Sequence, residues 1–502
     1  MTASRFVTLV FALIAATLLA LFGGTVLSAR EPVRTPVGAA TEPSHPPSHP
    51  VDPNDPDERP EPTGDLVAGG EAPDVVLLAT GGVAGYVEPC GCPKNPAGGL
   101  ARRAGYQELF SRRYPGTPVV LLDTGDFAGD PDEAGAVKTQ NLLTGMAMMG
   151  YAVVNVGERE LAAGVPGFLD AIRDQKVIYV SSSFVDRGRE EPLFPPFAIK
   201  QYATPSGRTV RLGFIGLSAF NSSFVRDKGD GGVVVTLPPA EALARTLPKV
   251  RPNADIVVLL ASMSVRELST LLNGTRGVDL ALAAHGTRMS PGGTLESIAG
   301  VPTFYSGEQG KRMGEVRVFL DDEGGSSHAE GHHVWLTRRY PAIPALQTLI
   351  DTTIAHVNDI NRARAAQQTA PAVERGTPQA GQRRFLTAEA CRGCHAVEYE
   401  VWSKSAHAHA FKTLIDANQD FNNECVTCHV TGFNTATGFI NARRTPDLTN
   451  VQCESCHGDA TDHVADLQKP YGDVPPRQCF TCHTKENSPD FVFFPYWDLI
   501  KH

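Results

Sequence analysis

The sequence lacks an excess of positive charge. Its 502 residues contain 45 Lys and Arg against 55 Asp and Glu, a formal net charge of −10. Proteins that bind nucleic acid normally carry a basic balance or a basic patch, so nucleic acid is not expected as a partner. An acidic surface suits docking to basic partner proteins instead. The length allows two or three globular domains.

Cysteine is also scarce, and eight of the ten cysteines fall into four copies of Cys-x-x-Cys-His. Two thiols at this spacing can bond the two vinyl groups of one porphyrin, while the adjoining imidazole binds the iron. A zinc or disulfide framework gives no reason for a His after every second Cys. The pattern therefore predicts four covalently bound c-type haems, with proximal histidines, at Cys391, Cys394 and His395; Cys425, Cys428 and His429; Cys453, Cys456 and His457; and Cys479, Cys482 and His483.

Residues 385–502 must hold all four haems. So short a segment cannot build a core from side chains alone, and the porphyrins are expected to supply that core. Closely spaced sites also bring the haems near one another, which allows electrons to pass from iron to iron. The segment is predicted to be an electron relay.

Methionine is absent after Met313. An axial Met ligand is therefore excluded within residues 385–502, which indicates His/His or open haems at lower potential. Besides the four proximal histidines, this segment contains His407, His409, His463 and His502. His407 and His409 lie about 200° apart around a helix and cannot serve one iron. His502 follows an apolar run at 491–500 suited to packing on a porphyrin, so it is predicted to be a distal ligand.

Three pieces of this segment resemble a known family. Trp402-Ser403-Lys404-Ser405-Ala406-His407, then Val451 to Gly458 with His463 following, and Cys482-His483-Thr484 leading to His502 are similar to the tetrahaem cytochrome c554 family of nitrifying bacteria. The resemblance covers the C-terminal quarter of the chain. It implies stacked haem pairs, distal ligands at His407 and His463, and one haem with a vacant face. His409 has no role in that pattern.

The N-terminal region contains an apolar run from Phe6 to Leu27, preceded by Arg5. As a helix of about 22 residues the run would span roughly 33 Å, enough to cross a bilayer. Small residues before Ala29 also offer a cleavage site. Residues 1–30 are therefore predicted to be either a signal peptide or a retained membrane anchor, which places the protein in the periplasm or on the outer face of the cytoplasmic membrane. Residues 31–73 contain eleven of the 38 prolines and are predicted to be an extended linker.

Buried apolar runs alternate with helical periodicity over residues 74–366, which predicts an α/β domain. A hinge rich in Gln, Pro and Gly at 367–384 separates this domain from the haem segment at 385–502. The haem segment is expected to be mainly helical and irregular. The predicted strands are 74–80, 118–122, 151–156, 177–181, 208–217, 254–260 and 278–283, and the predicted helices are 100–113, 136–149 and 344–366.

The α/β domain has its own family resemblance, carried by Leu121 to Asp126, Val156 to Leu161 and Leu282 to Gly286. These pieces are similar to the catalytic domain of the 5′-nucleotidase branch of the calcineurin-like metallophosphoesterases. The resemblance implies a four-layer α/β sandwich with two metals at the strand ends.

Most of the metal ligands implied by this resemblance are missing. Gly82-Val83-Ala84 stands where the family has Asp-x-His, Glu158-Arg159 where it has Asn-His, and Ser262-Met263-Ser264 where it has a His. Asp126 and His285 remain as a vestigial site, with Glu158 as a third donor. Because a guanidinium such as that of Arg159 repels cations, we expect a domain that no longer hydrolyses esters. A rebuilt site for a single metal is the alternative.

Cys90 and Cys92 are the two cysteines outside the haem motifs. In an oxidising compartment so close a pair of thiols suits a redox-active or substrate-contacting role. A structural disulfide or two unpaired buried thiols remain the alternatives.

Three functions remain open from the sequence. The first is an exported electron-transfer protein with redox partner proteins and a non-hydrolytic metallophosphoesterase-like domain. The second is a multihaem oxidoreductase that acts on a small nitrogen or sulfur compound at an open haem or at Cys90 and Cys92. The third is a metal-dependent phosphohydrolase with an electron-transfer tail. No catalytic residue can be assigned from the sequence.

Overall fold

A computed structural model describes residues 72–90, 96–284, 295–307, 309–321, 324–367, 385–417, 419–435, 437–469, 471–484, 487–488 and 491–502. Several predictions fall outside these residues. They are the N-terminal segment 1–30, the linker up to residue 71, the hinge from 368 to 384, Cys92, His285 and the side chain of Cys90. Among the described helices, none is both long and apolar enough to cross a membrane.

The strands found in the described part of the chain all belong to residues 72–367, here called the α/β domain. They are β1 (Val75–Thr80), β2 (Pro89–Cys90), β3 (Ala97–Gly98), β4 (Val119–Asp123), β5 (Val153–Asn155), β6 (Ile178–Val180), β7 (Phe184–Asp186), β8 (Glu191–Pro192), β9 (Phe197–Ala203), β10 (Thr209–Ser218), β11 (Val225–Asp227), β12 (Val233–Thr236), β13 (Ile256–Ser262), β14 (Leu280–Ala283), β15 (Glu296–Ile298), β16 (Val301–Tyr305), β17 (Arg312–Leu320) and β18 (Ser326–Trp335).

Two six-stranded sheets form the centre of this domain. The first has the order β18-β17-β1-β4-β5-β6, and the second has the order β15-β16-β14-β13-β10-β9. In each sheet the inner strands run parallel, as β1 with β4 and β10 with β13. Antiparallel strands complete the edges, as β17 beside β1 and β9 beside β10. A four-stranded sheet β11-β12-β7-β8 and the hairpin β2-β3 are added to this frame.

Six helices in the described residues cover the sheets. They are α1 (Leu100–Arg113), α2 (Glu133–Met149), α3 (Val165–Ile172), α4 (Pro239–Val250), α5 (Val265–Asn273) and α6 (Pro344–Gln367), with 3-10 turns at Arg159–Leu161 and Arg251–Asn253. One apolar core lies between the two sheets and includes Leu77, Leu122 and Leu260. A second core joins the first sheet to α1, α2 and α6, and a third joins the second sheet to α4 and α5. The layers therefore run helix, sheet, sheet, helix, which confirms the predicted four-layer sandwich.

Local sequence explains where these elements begin and end. The six residues of β1 are all buried, because helices cover one face of the strand and the second sheet covers the other. Helix α2 begins after Asp132, whose side chain accepts a hydrogen bond from the Gly135 N–H, and it ends at Gly150 in the left-handed conformation. Helix α5 begins with a capping box between Ser264 and Glu267.

Residues 385–502, here called the C-terminal region, contain short helices and turns. The helices are α7 (Ala388–Arg392), α8 (Ala396–Ser403), α9 (Ala410–Asp416), α10 (Asn423–His429), α11 (Cys453–His457), α12 (Thr461–Ala465) and α13 (Phe493–Asp498), with 3-10 turns at Ala406–His409, Pro446–Leu448 and Pro476–Thr481. A small apolar cluster of Phe411, Leu414, Val426, Val430, Phe439 and Leu448 is the main side-chain core found in the described part of this region. Its small size agrees with the expectation that porphyrins complete the packing.

Candidate functional site

The four Cys-x-x-Cys-His motifs each lie on a single helical turn. The second and third motifs are in α10 and α11, and the fourth begins in the 3-10 turn Pro476–Thr481. In the first and fourth motifs the His N–H donates to the carbonyl of the first Cys, at 2.9 Å in each case. One turn of helix therefore brings both thiols and the imidazole of each motif close together, as attachment of one porphyrin requires.

Three of the motif histidines face a second histidine ring. The ring centroids are 6.4 Å apart for His395 and His463, 6.0 Å for His483 and His407, and 5.7 Å for His457 and His502. Metal–imidazole bonds of about 2 Å on opposite sides of one ion place ring centroids roughly 6 Å apart. All three pairs therefore have the spacing needed to hold one iron between them.

The second imidazole nitrogen is fixed in several of these residues. Nδ1 lies 2.8 Å from the Gly472 carbonyl oxygen in His457, 3.0 Å from that of Lys469 in His463, and 3.0 Å from that of Ile500 in His502. A carbonyl oxygen only accepts hydrogen bonds, so Nδ1 carries the proton and Nε2 keeps its lone pair. Such a contact orients the ring as a ligand.

Burial favours the form of histidine that binds iron. It lowers the pKa of His407, His457 and His483, and neighbouring histidines lower the first two further. A lowered pKa keeps the imidazole neutral at pH 7. The donor set thus fits haem iron.

His429 differs from the other three proximal histidines. Its Nδ1 is 2.7 Å from the Ala410 carbonyl oxygen and 3.3 Å from the Thr413 hydroxyl. Among the residues that the structure describes, no second histidine ring is paired with it in the way seen at the other three motifs. The side chain of His409 is exposed.

The motifs are also close to one another in a definite order. The thiol of Cys391 in the first motif interacts electrostatically with that of Cys453 in the third. The thiol of Cys428 in the second motif does the same with Cys482 in the fourth. Cys456 of the third motif lies close enough to Cys479 and Cys482 for the three thiols to interact electrostatically. The order of neighbours is therefore first, third, fourth and second.

A cavity lies among the first and third motifs. It is lined by Cys391, His395, Glu398, Tyr399, Trp402, His407, Val451, Gln452, Cys453, Cys456, His457, Ile500 and His502. Thioether-forming thiols, imidazoles and aromatic rings thus surround one space, which is the lining that a porphyrin needs.

A second cavity, of about 540 Å³, lies at the carboxyl ends of the strands in the α/β domain. Asp126 follows β4, and Ser218 and Ser262 lie opposite each other at the ends of β10 and β13. Glu158 and Arg159 follow β5. Parallel strands bring these side chains to one edge, as the family resemblance implies.

Hydrogen bonds within the domain occupy the acidic groups of this cavity. Asp126 accepts from the Ser262 hydroxyl with one carboxylate oxygen and from the Arg159 N–H with the other, the latter at 3.1 Å. Glu158 accepts from the Asn221 side-chain amide at 3.0 Å. The Arg159 guanidinium donates to the Ala128 carbonyl at 2.9 Å. Within the described residues, no group of three His, Cys, Asp or Glu could hold a metal ion.

Two buried carboxylates below the cavity have raised pKa values. Burial raises the pKa of Asp123 to about 6, although hydrogen bonds from Thr80 and the Gly125 N–H oppose the shift. Burial and the charge of Asp126 raise the pKa of Glu160 to about 8. Glu160 accepts from the N–H groups of Asp126, Ala128 and Gly157, so it holds the loop that carries Asp126 in place.

Comparison with known proteins separates the two parts of the chain. Residues 390–458 match the family model for cytochrome c554 and c-prime. Cytochrome c-554 of Nitrosomonas europaea is 31% identical over 109 residues, which cover 19% of this chain and 46% of the relative. The C-terminal region is a cytochrome c554-type domain.

The α/β domain matches another group. The 2′,3′-cyclic-nucleotide 2′-phosphodiesterase/3′-nucleotidase of Salmonella typhimurium is 26% identical over 239 residues, which cover 41% of this chain and 37% of the relative. The sulfate thiohydrolase SoxB of Thermus thermophilus, solved with glycerol, superposes with a TM-score of 0.51 at 16% identity over 58% of this chain and 62% of that one. The domain therefore has the fold of the 5′-nucleotidase and calcineurin-like phosphoesterases. The chain spans less than half the length of the curated relatives it matches.

Sequence reasoning overlooked some residues of the phosphoesterase-like cavity. Asn221 lies outside the motifs, Glu160 lies in the motif Val156 to Leu161 but was given no role, and the Ser262 hydroxyl satisfies Asp126. Glu160 could have been noticed because a Glu next to the replaced ligand position is out of place in a buried turn. Asn221 carries no comparable signal, since its position depends on the packing of the two sheets.

Proposed function

We propose that this protein is an exported c-type cytochrome with four haems that transfers electrons and carries a phosphoesterase-like domain without hydrolytic activity. The observation that supports it best is the set of three facing histidine pairs. Each pair joins a proximal histidine to one of the candidate distal histidines, at 5.7 to 6.4 Å. The match to the cytochrome c554 model points the same way.

The proposal assigns ligands as follows. The haems of the first, third and fourth motifs take His463, His502 and His407 as their second ligands. Such haems supply one-electron transfer, and ligation by two imidazoles keeps their potentials lower than ligation by Met. The order of neighbouring motifs gives a relay that runs first, third, fourth and second.

The second motif supports an alternative that includes chemistry. With no second histidine found opposite His429 among the described residues, its haem would keep a free axial position. An open position can bind a small ligand, so an oxidoreductase for a small nitrogen or sulfur compound is the second candidate. The Cys90 and Cys92 pair remains a further proposed site for such a compound.

The phosphoesterase-like domain is proposed to be inactive as a hydrolase. Asp126 already has both carboxylate oxygens engaged, and Arg159 lines the same cavity. A metal at this place would displace hydrogen bonds and face a guanidinium. A phosphohydrolase with an electron-transfer tail is therefore the least supported of the three candidate functions.

Location and partners follow from the haems and the charge. Haem attachment to Cys-x-x-Cys-His takes place outside the cytoplasm, and the apolar N-terminal run supplies an export route. The net charge of −10 favours basic redox proteins as partners. We place the protein in the periplasm, free or held at the outer face of the cytoplasmic membrane by its N-terminus.

Mass spectrometry and spectroscopy of the mature protein test this proposal. The mass should show four covalent haems, and electron paramagnetic resonance should show three low-spin haems with two imidazole ligands and one haem of different spin state. Four low-spin haems would remove the oxidoreductase alternative. Fewer than four haems, or stoichiometric bound metal with ester hydrolysis, would contradict the proposal itself.

A further inference from the structure

We propose that the phosphoesterase-like domain, residues 72–367, positions the haem motif Cys425–His429. It does so by binding the turn between helix α9 and helix α10, and α10 carries the motif. This inference rests on the proposed function in one respect, namely that a haem is attached at that motif. The turn, residues 419–422, is here called the gripped turn. It connects α9, which contacts the proximal histidine, to α10, which carries the motif itself.

Hydrogen bonds make the gripped turn rigid. The Gln419 N–H donates to the Leu414 carbonyl at 2.8 Å, at the end of α9. The Asn422 side-chain amide donates to the Gln419 side-chain oxygen, also at 2.8 Å. The Asn422 carbonyl then accepts from the N–H groups of Cys425 and Val426, at the start of α10. A distortion of the turn therefore displaces α9 relative to α10.

The relative position of these helices sets the contacts of His429. Its Nδ1 is 2.7 Å from the Ala410 carbonyl and 3.3 Å from the Thr413 hydroxyl, both on α9. The iron-binding imidazole is on one helix and its hydrogen-bond acceptor is on the other. Such a contact orients the ligand and sets its basicity, and the potential of a haem depends on it.

The phosphoesterase-like domain holds the gripped turn at two places that are distant in sequence. Glu88, next to β2, accepts from the Gln419 side-chain amide with its two oxygens at 3.0 and 3.3 Å. On α6, the Asn361 side-chain amide donates to the Phe421 carbonyl at 3.2 Å. The Arg362 guanidinium lies 5.7 Å from the centre of the Phe421 ring. Two points of attachment fix the turn in orientation as well as in place.

This control is specific to one haem. The Nδ1 partners of His457 and His483 are Gly472 and Ser488, which lie well beyond the gripped turn in sequence. The domain therefore acts on the motif whose histidine has no facing ring among the described residues. That motif is also at one end of the order of neighbours, where a relay exchanges electrons with something outside it.

The contact between the phosphoesterase-like domain and the gripped turn, here called docking, is then linked thermodynamically to the redox state of this haem. If docking changes the potential of the haem, reduction of the haem changes the strength of docking by the same factor. The phosphoesterase-like domain would thus respond to the redox state of the relay without any reaction of its own. Glu88 and Asn361 are positioning residues in this scheme.

The test uses the full-length haem-loaded protein with Glu88→Ala and Asn361→Ala combined. The signal of the haem at Cys425 and Cys428 is identified by its absence from a Cys425→Ala/Cys428→Ala variant. Should that variant not fold, the other three haems are assigned from His407→Ala, His463→Ala and removal of His502. We expect the midpoint potential and the resonance signature of this one haem to shift while the other three keep theirs. Amide exchange at Gln419 and Asn422 should become about tenfold faster.

Matched control variants distinguish loss of the contact with the gripped turn from general destabilisation of the domain. Glu108→Ala and Asn273→Ala remove an exposed acid and an exposed amide from the same domain, away from the gripped turn, and should shift none of the haems. Glu88→Gln retains a side-chain oxygen that can accept from Gln419, so this haem should keep nearly its wild-type potential.

Two results would overturn the inference: an unchanged signal for the haem at Cys425 and Cys428 in the double variant, or equal shifts in all four haems. The spin state of the wild-type haem tests the proposed function separately. A low-spin haem at this motif would correct its ligand assignment and leave the positioning test intact.

Discussion

The ring of His502 lies 5.7 Å from that of His457. Here the aromatic residues of α13 precede it, and its Nδ1 is 3.0 Å from the Ile500 carbonyl. These contacts hold the imidazole in a position to bind the iron of the third motif.

Removal of Lys501 and His502 should therefore convert one low-spin haem to high spin without loss of covalent haem. The potential of that haem should rise, because a strong nitrogen donor to Fe(III) is lost. Electron paramagnetic resonance and redox titration measure both effects. Lys501→Ala with His502 retained is the control. An unchanged spin state in the truncated protein would show that His502 is not a ligand.

Asp123 gives a pH dependence to the stability of the phosphoesterase-like domain. Burial raises its pKa from 3.8 to about 6 in the folded state. The folded protein then binds this proton more tightly than the unfolded chain does. The stabilisation is fully present below about pH 3.8 and is lost as the pH rises through about 6. The shift corresponds to roughly 3 kcal/mol.

Asp123→Asn should remove this part of the pH dependence, because the amide has nearly the same shape and does not ionise in that range. The urea midpoint of the domain, followed by circular dichroism from pH 4 to pH 7, should fall less steeply in the variant. Asp170→Asn, at an exposed position beside Arg173, is the control. Parallel pH profiles for Asp123→Asn and the wild type would refute the assignment.

At the scale of elements, Gln452 joins three segments of the cytochrome c554-type domain. Its side chain is buried, accepts from the Ala388 N–H at 2.6 Å, and donates to the carbonyls of Asp447 and Thr449 at 2.7 and 2.8 Å. Gln452→Ala leaves these backbone groups without partners, which should cost about 2 to 3 kcal/mol. A lower thermal midpoint measured by haem absorbance checks this, with the exposed Gln468→Ala as control. An equal effect of both changes would show that the bonds of Gln452 are dispensable.

The sequence predicted the central elements of the α/β domain better than its edges. Helix 100–113 has its predicted bounds, and the strand predicted at 118–122 is observed at Val119–Asp123. Strands buried on both faces have a continuous apolar run in the sequence, and such a run predicts a strand. Short edge strands such as β8 and β11 have exposed residues and carry no such signal.

The haem sites also have features that the sequence predicts and features that it does not. The spacing of Cys and His predicted the four attachment motifs, since that pattern is local. The partner of each proximal histidine could not be read from the sequence, because His463 faces His395 only through the tertiary arrangement of the two segments. The hydrogen bond between Glu88 and Gln419 is equally inaccessible from sequence.

At the scale of the whole molecule, variants of the two cysteines in the α/β domain test whether haem attachment to the C-terminal region depends on that domain. Cys90 belongs to the strand Pro89–Cys90, outside the four motifs. Cys90→Ser with Cys92→Ser should leave all four haems attached, because each motif supplies its own two thiols. The mass of the intact variant checks this, with Cys425→Ser as the control that loses a haem bond. Loss of any haem from the double variant would show that haem loading depends on this pair.

The last prediction concerns ester hydrolysis by the phosphoesterase-like domain. A phosphoesterase fold hydrolyses esters when several ligands hold its metals at the strand ends. Here Gly82 and Ala84 have no donor side chains, the Arg159 guanidinium donates to the Ala128 carbonyl, and Asp126 is satisfied by Ser262. In the proposed function, hydrogen bonds within the protein take the place of metal coordination in this domain. We propose that its role is instead contact with the C-terminal region through Glu88 and α6.

We therefore expect no turnover of nucleotide monoesters, cyclic nucleotides or phosphodiesters above background with added Mn²⁺, Zn²⁺ or Mg²⁺. The assay needs the purified, haem-loaded protein and metal analysis of the same sample. Asp126→Ala serves as the control for contaminating phosphatase, since a trace activity that persists in it does not come from this site. Metal-dependent hydrolysis that disappears in Asp126→Ala would show that Asp126 still holds a catalytic ion, and that the hydrogen bond from Ser262 gives way to it.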